Sequence, residues 1–96
     1  MLNEKCMALC HARHQMPSCV EGSIFGQEVN PLDVQGLEEK ALEVLKPLSN
    51  GKLNLYVTGL TVALIATLNA AKILNIKVVL YHFNRENNAY YSQEVM

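Results

Sequence analysis

The chain has no tryptophan, six other aromatic residues, three cysteines and no surplus of either charge sign, and each shortage narrows what it does. Eight Lys plus Arg against nine Asp plus Glu leave a formal charge of −1, so no global field draws the chain to duplex nucleic acid or to an anionic membrane surface. Any anionic ligand must be held locally. The longest apolar stretch, residues 60–66, is interrupted by Thr61 and followed by Thr67, Asn69 and Lys72, which is too short and too polar for a membrane span. Cys6, Cys10 and Cys19 make an odd set with no C-x-x-C pair, and charged Glu4 and Lys5 precede only a short apolar run, which is no signal peptide. A soluble, reduced, cytoplasmic protein is predicted, with Cys6 and Cys10 acting as small buried hydrophobes. Without a Gly-rich dinucleotide fingerprint or a Walker-type loop, nicotinamide cofactors and ATP hydrolysis are disfavoured, and no cofactor is expected. His11, His14 and Cys10 lack a defined fourth ligand and have Arg13 among them, so no metal centre is expected either.

What is present fits one α/β domain over residues 1–96, half of it hydrophobic. Residues 5–10 form a continuous apolar run expected of a central parallel strand covered on both faces. Residues 12–22 carry Arg13, His14, Gln15, Pro17 and Ser18 without a clean period and read as a loop, with a short strand at residues 23–25. Asn30 as cap, Pro31 at the first helical position and Asp33 nearby start a helix that reaches about Leu45. Its packed face holds Val34, Leu37, Ala41 and Leu45, and Glu38, Glu39, Lys40, Glu43 and Lys46 form the wet side. Residues 53–58 alternate as a strand, residues 60–74 form a second helix, and residues 76–83, IKVVLYHF, form another buried strand. After a turn at residues 84–88, residues 89–95 pair back as an antiparallel edge strand. The expectation is therefore a Rossmann-like, mostly parallel sheet with flanking helices and a C-terminal antiparallel hairpin.

In such sheets ligands bind outside the carboxyl ends of the strands. Three clusters are predicted there: His11, Arg13 and His14; Thr58, Gly59, Leu60 and Thr61; and Asn84 with Arg85. Within residues 53–66, LNLYVTGLTVALIA, a strand runs through a Gly-containing turn into a helix, aiming backbone N–H groups and the positive end of the helix dipole beyond the strand. The same turn also has a purely structural reading, with Thr61 capping the helix. Two imidazoles and a guanidinium suit phosphate binding and proton transfer, though short basic loops are also simply solvated. Tyr90 and Tyr91 face opposite sides of their strand and read as edge packing, with base stacking as the alternative. The second helix is apolar around most of its circumference, more than one sheet can bury, and a two-fold homodimer is predicted.

The strand, the Thr58-Gly59-Leu60-Thr61 turn, the apolar helix and the IKVVLYHF strand resemble the second half of CARF domains, the CRISPR-associated Rossmann-like folds. Leu60 stands where a second glycine is usual, and Val62 where a basic residue often follows. The size resembles that of small stand-alone CRISPR accessory proteins that bind or degrade cyclic oligoadenylate. The resemblance implies a homodimer holding a cyclic oligoadenylate across its two-fold axis, with Thr58, Gly59 and Thr61 matching the ligand turn. It further implies a ring nuclease in which a ribose 2′-hydroxyl attacks the neighbouring phosphate without metal. His11 or His14 as general acid or base, and Arg13 as charge stabiliser, follow from their own chemistry. A sequestering protein that does not cleave, or an interaction subunit docking another protein through the apolar helix, are the alternatives.

Overall fold

The computed structural model describes residues 3–10, 16–26 and 29–95. Five strands form one sheet in the order β2-β1-β3-β4-β5, with β1 at Glu4–Ala8, β2 at Val20–Ser23, β3 at Lys52–Tyr56, β4 at Lys77–Asn84 and β5 at Ala89–Glu94. Neighbours are parallel except for the β4–β5 pair, so the fold is the expected mostly parallel sheet with an antiparallel C-terminal hairpin. Helix α1 spans Val34–Leu45 between β2 and β3, and α2 spans Thr61–Ile73 between β3 and β4. Both crossovers step across the sheet in the same direction, so right-handed connections put both helices on one face, where they pack side by side.

The core lies between that face and the helices. Leu9, Leu53, Leu55, Val78 and Leu80 of the sheet meet Leu37, Ala41 and Leu45 of α1 and Ala63, Ala66, Ala70 and Ala71 of α2. Small residues on the inner face of α2 allow close approach, while Ile65 and Ile73 point outward at 53% and 64% exposure. Thr67, fully buried, returns its hydroxyl to the Ala63 carbonyl at 2.9 Å, so it costs no unpaired polar group.

Two boundaries differ from the sequence expectation. Asn30 does not cap α1: its Oδ1 accepts from the Leu32 N–H at 3.1 Å in a local turn, and Asp33 becomes the cap by accepting from the Gly36 N–H. The helix therefore starts at Val34, which is 53% exposed and not part of the packed face. Strand β2 begins at Val20, inside the stretch read as loop, and its pairing continues beyond Ser23 through Ile24 N–H to Ala8 O and Phe25 N–H to Leu9 O, both at 3.0 Å. No helix of the described residues is long and apolar enough to cross a membrane.

Among the described residues no helix lies on the other face of the sheet, yet Ala8, Asn54, Tyr56 and Val79 on it are buried. Part of the cover is the end of the β1–β2 connection. Met16 Sδ accepts from the Tyr90 hydroxyl at 3.4 Å on β5, and Cys19 Sγ lies 3.6 Å from the Tyr56 hydroxyl on β3. Tyr56 and Tyr81 stack with ring centroids 4.7 Å apart, and Tyr90 meets Tyr56 edge-on at 4.9 Å. Alternation within a parallel strand thus builds two different layers, an aliphatic one under the helices and an aromatic one under a strap.

Candidate functional site

The carboxyl rim is organised by Thr58. The β1–β3 ladder runs to Ala8 opposite Tyr56, with Leu9 N–H bonded to Tyr56 O at 2.9 Å. Val57 N–H continues the ladder to β4 through Tyr81 O, and the link to the end of β1 passes to the Thr58 side chain. Its Oγ1 accepts from the Cys10 N–H at 3.0 Å and donates to the Cys10 carbonyl at 2.8 Å. The hydroxyl proton is thereby committed to β1, and Thr58 holds the rim together.

Gly59 follows at φ +86°, a conformation that favours glycine. An added Cβ would meet Cys10 Sγ at 2.7 Å and Cys10 Cβ at 2.9 Å, so the turn is also pressed against that thiol. Burial pushes the Cys10 thiol up from its ordinary value, partly offset by the backbone N–H of Leu60. A buried neutral thiol of this kind is packing, as its apolar neighbours in the sequence indicated.

Helix α2 starts directly after this turn. Leu60, in extended conformation, occupies the cap position and supplies no side-chain hydrogen bond, and Thr61 is the first helical residue. Thr61 therefore does not cap the helix, which corrects the structural reading of the turn. The first amides of α2 and the exposed Thr61 lie at the positive end of the dipole, beside the carboxyl ends of β1 and β3.

Asn84 and Arg85 sit farther out. Tyr56 pairs with Tyr81, so β4 continues three residues past the end of β3, roughly 10 Å at strand rise. Asn84 Oδ1 accepts from the Glu86 N–H at 2.9 Å, shaping the hairpin turn, and Arg85 is exposed beside it. The hairpin overhangs the rim instead of ending level with it. His11, Arg13 and His14 lie outside the described residues; the described chain leaves the rim at Cys10 and resumes at Met16 against Tyr90.

The aromatic layer was not a predicted site, and its signal was Asn54 and Tyr56 alternating with Leu53 and Leu55. Asn54, buried, donates to Glu4 Oε2 at 2.6 Å at the far end of this layer from the rim. A separate groove of about 650 Å³ lies at the amino-terminal edge of the sheet, lined by Lys52, Lys72, Lys77, Asn50 and Asn75 among others. Lys72 lies in the last turn of α2, where a cation offsets the dipole, and the rim is at the opposite edge. Among the described residues no group of three or more His, Cys, Asp or Glu is placed to hold a metal ion. Comparison with family models, with curated proteins and with solved structures gives no match.

Proposed function

We propose that the protein is a homodimer that binds a cyclic oligoadenylate at its carboxyl rim and cleaves it. The observation that carries the reading is the start of α2, which lacks a side-chain cap and follows a positive-φ glycine at the carboxyl edge of a parallel sheet. Backbone N–H groups in that position donate to phosphate oxygens without a counter-charge on the protein. Two copies about a two-fold axis would double those donors and bring a second Arg13 and Arg85, the local charge that a near-neutral chain must supply to a polyanion.

Cleavage would rest on His11, Arg13 and His14. One imidazole takes the proton of a ribose 2′-hydroxyl, that oxygen bonds to the adjacent phosphorus, and the bond to the 5′-oxygen breaks as the other imidazole delivers a proton to it. Arg13 offsets charge on the phosphate oxygens. Because the ligand carries its own nucleophile, positioning and these groups suffice.

Sequestration without cleavage is the second reading, favoured by the chemistry of the described rim. That rim offers backbone donors and the exposed Thr61 hydroxyl, while the Thr58 hydroxyl is engaged with Cys10 and the Cys10 thiol is buried and held neutral. Incubating purified protein with cyclic tetra- and hexa-adenylate, with and without EDTA, separates the two. Linear products formed equally in EDTA are expected; intact ring recovered from a tight complex rejects the nuclease and keeps the binder. His11→Ala and His14→Ala cleaving at the unmodified rate would remove these residues from the mechanism.

A further inference from the structure

We propose that Cys6 and Cys19 form a reversible disulfide, making the seam between β1 and the strap an oxidation site for small hydroperoxides. Cys6 is the Cα partner of Val20 across the β1–β2 pair, and Cys19 is the residue before it. A strand spacing of about 4.8 Å and a rise of about 3.3 Å put the two Cα atoms roughly 6 Å apart, inside the span of about 4.4–6.8 Å that a disulfide bridges.

Both side chains lie on the aromatic face. Cys19 Sγ reaches the Tyr56 hydroxyl, and Cys6 stands in register with Asn54, two residues before Tyr56 on the same side of β3. Cys19 is close enough to act on Cys6: burial first, then Cys19 beside it, push the Cys6 thiol up to about 11. Cys10 is held elsewhere, under Gly59 at the rim. Three cysteines therefore divide into one adjacent pair and one separate thiol.

Their environments also divide the labour. Cys19 is exposed and meets peroxide first, whereas Cys6 is half-buried and neutral. The Cys19 thiolate attacks a peroxide oxygen, the O–O bond breaks, and the departing hydroxide takes a proton to leave as water. Cys19 is then a sulfenic acid. The Cys6 sulfur attacks the Cys19 sulfur, the S–O bond breaks, and hydroxide leaves with the Cys6 proton as a second water. Two thiols are oxidised by two electrons, and one hydrogen peroxide is reduced to two waters. The bond ties the start of β2 to β1 and takes Cys19 out of its contact with the Tyr56 hydroxyl.

The test is titration of the purified full-length chain with hydrogen peroxide, followed by thiol counting, intact mass and peptide mapping. Free thiols are expected to fall from three to one, the monomer mass to drop by two hydrogens, and the crosslinked peptide to join Cys6 to Cys19. Dithiothreitol should restore all three, and Cys10→Ser should form the same bond. A bond that includes Cys10, a dimer crosslinked through Cys19, or Cys19 sulfinic acid accumulating with Cys6 free would each overturn the proposal.

Discussion

Replacing Thr58 by valine keeps the shape of the side chain and removes one oxygen, which is the oxygen that joins β3 to β1 at the rim. Two hydrogen bonds are lost, each worth about 1 kcal/mol net, and the Cys10 N–H and carbonyl lose their partner. The site is partly buried, so water replaces some of what is lost, and the expected cost is about 2 kcal/mol, roughly a thirty-fold fall in the folded-to-unfolded ratio. In urea denaturation with a slope near 1 kcal/mol/M, the midpoint moves down by about 2 M. Thr58→Ser keeps the hydroxyl and gives up a methyl, so it should retain most of the stability, within about 1 kcal/mol of the parent. A Thr58→Val protein within about 0.5 kcal/mol of the parent, or a serine variant as weak as the valine one, would refute the bridging role.

Gly59→Ala adds a Cβ to a left-handed backbone and presses it into Cys10, so a loss of at least about 1–2 kcal/mol is expected in the same denaturation assay. Tyr56 and Cys6 both have their ionisation pushed up, by burial first and by the neighbouring Cys19 thiol, so the folded chain keeps protons that the unfolded chain releases above about pH 9. Stability should therefore be flat through neutral pH and fall as pH rises from 9 towards 11, and Tyr56→Phe should flatten that fall; an unchanged slope in the variant would assign it to other groups. Ile65→Lys on the outer face of α2 should leave folding within about 0.5 kcal/mol while converting the proposed dimer to a monomer by light scattering. A dimer that survives both Ile65→Lys and Ile73→Lys would locate the interface elsewhere.

Elements governed by local pattern were legible. The second helix was expected over residues 60–74 and runs over Thr61–Ile73, because apolar density, Gly59 before it and Asn75 at φ 56° after it all agree. The hairpin was legible from the polar turn at residues 84–88 between a buried apolar run and a shorter run with Tyr90 and Tyr91. The first turn of α1 was less so, because Asn30 and Asp33 are both good caps three residues apart and only the side-chain hydrogen bonds decide between them. Strand β2 is short and at an edge, carries Gly22 at φ +143°, and pairs through an irregular register that no period announces. At the rim, residue types pointed to Thr58 and Gly59, but not to their shared neighbour Cys10, which lies 48 positions from Thr58 in the chain. The aromatic layer was hidden similarly, since Tyr56, Tyr81 and Tyr90 come from three strands and meet only once the sheet is assembled.

The central claim is a ligand site completed by two copies of the chain, and its most direct test is the stoichiometry of cyclic oligoadenylate binding by calorimetry and native mass spectrometry. One ring per two chains is predicted, with Gly59→Ala weakening binding in a protein that still dimerises. No complex with either cyclic tetra- or hexa-adenylate, or one ring bound by each isolated monomer, would contradict it.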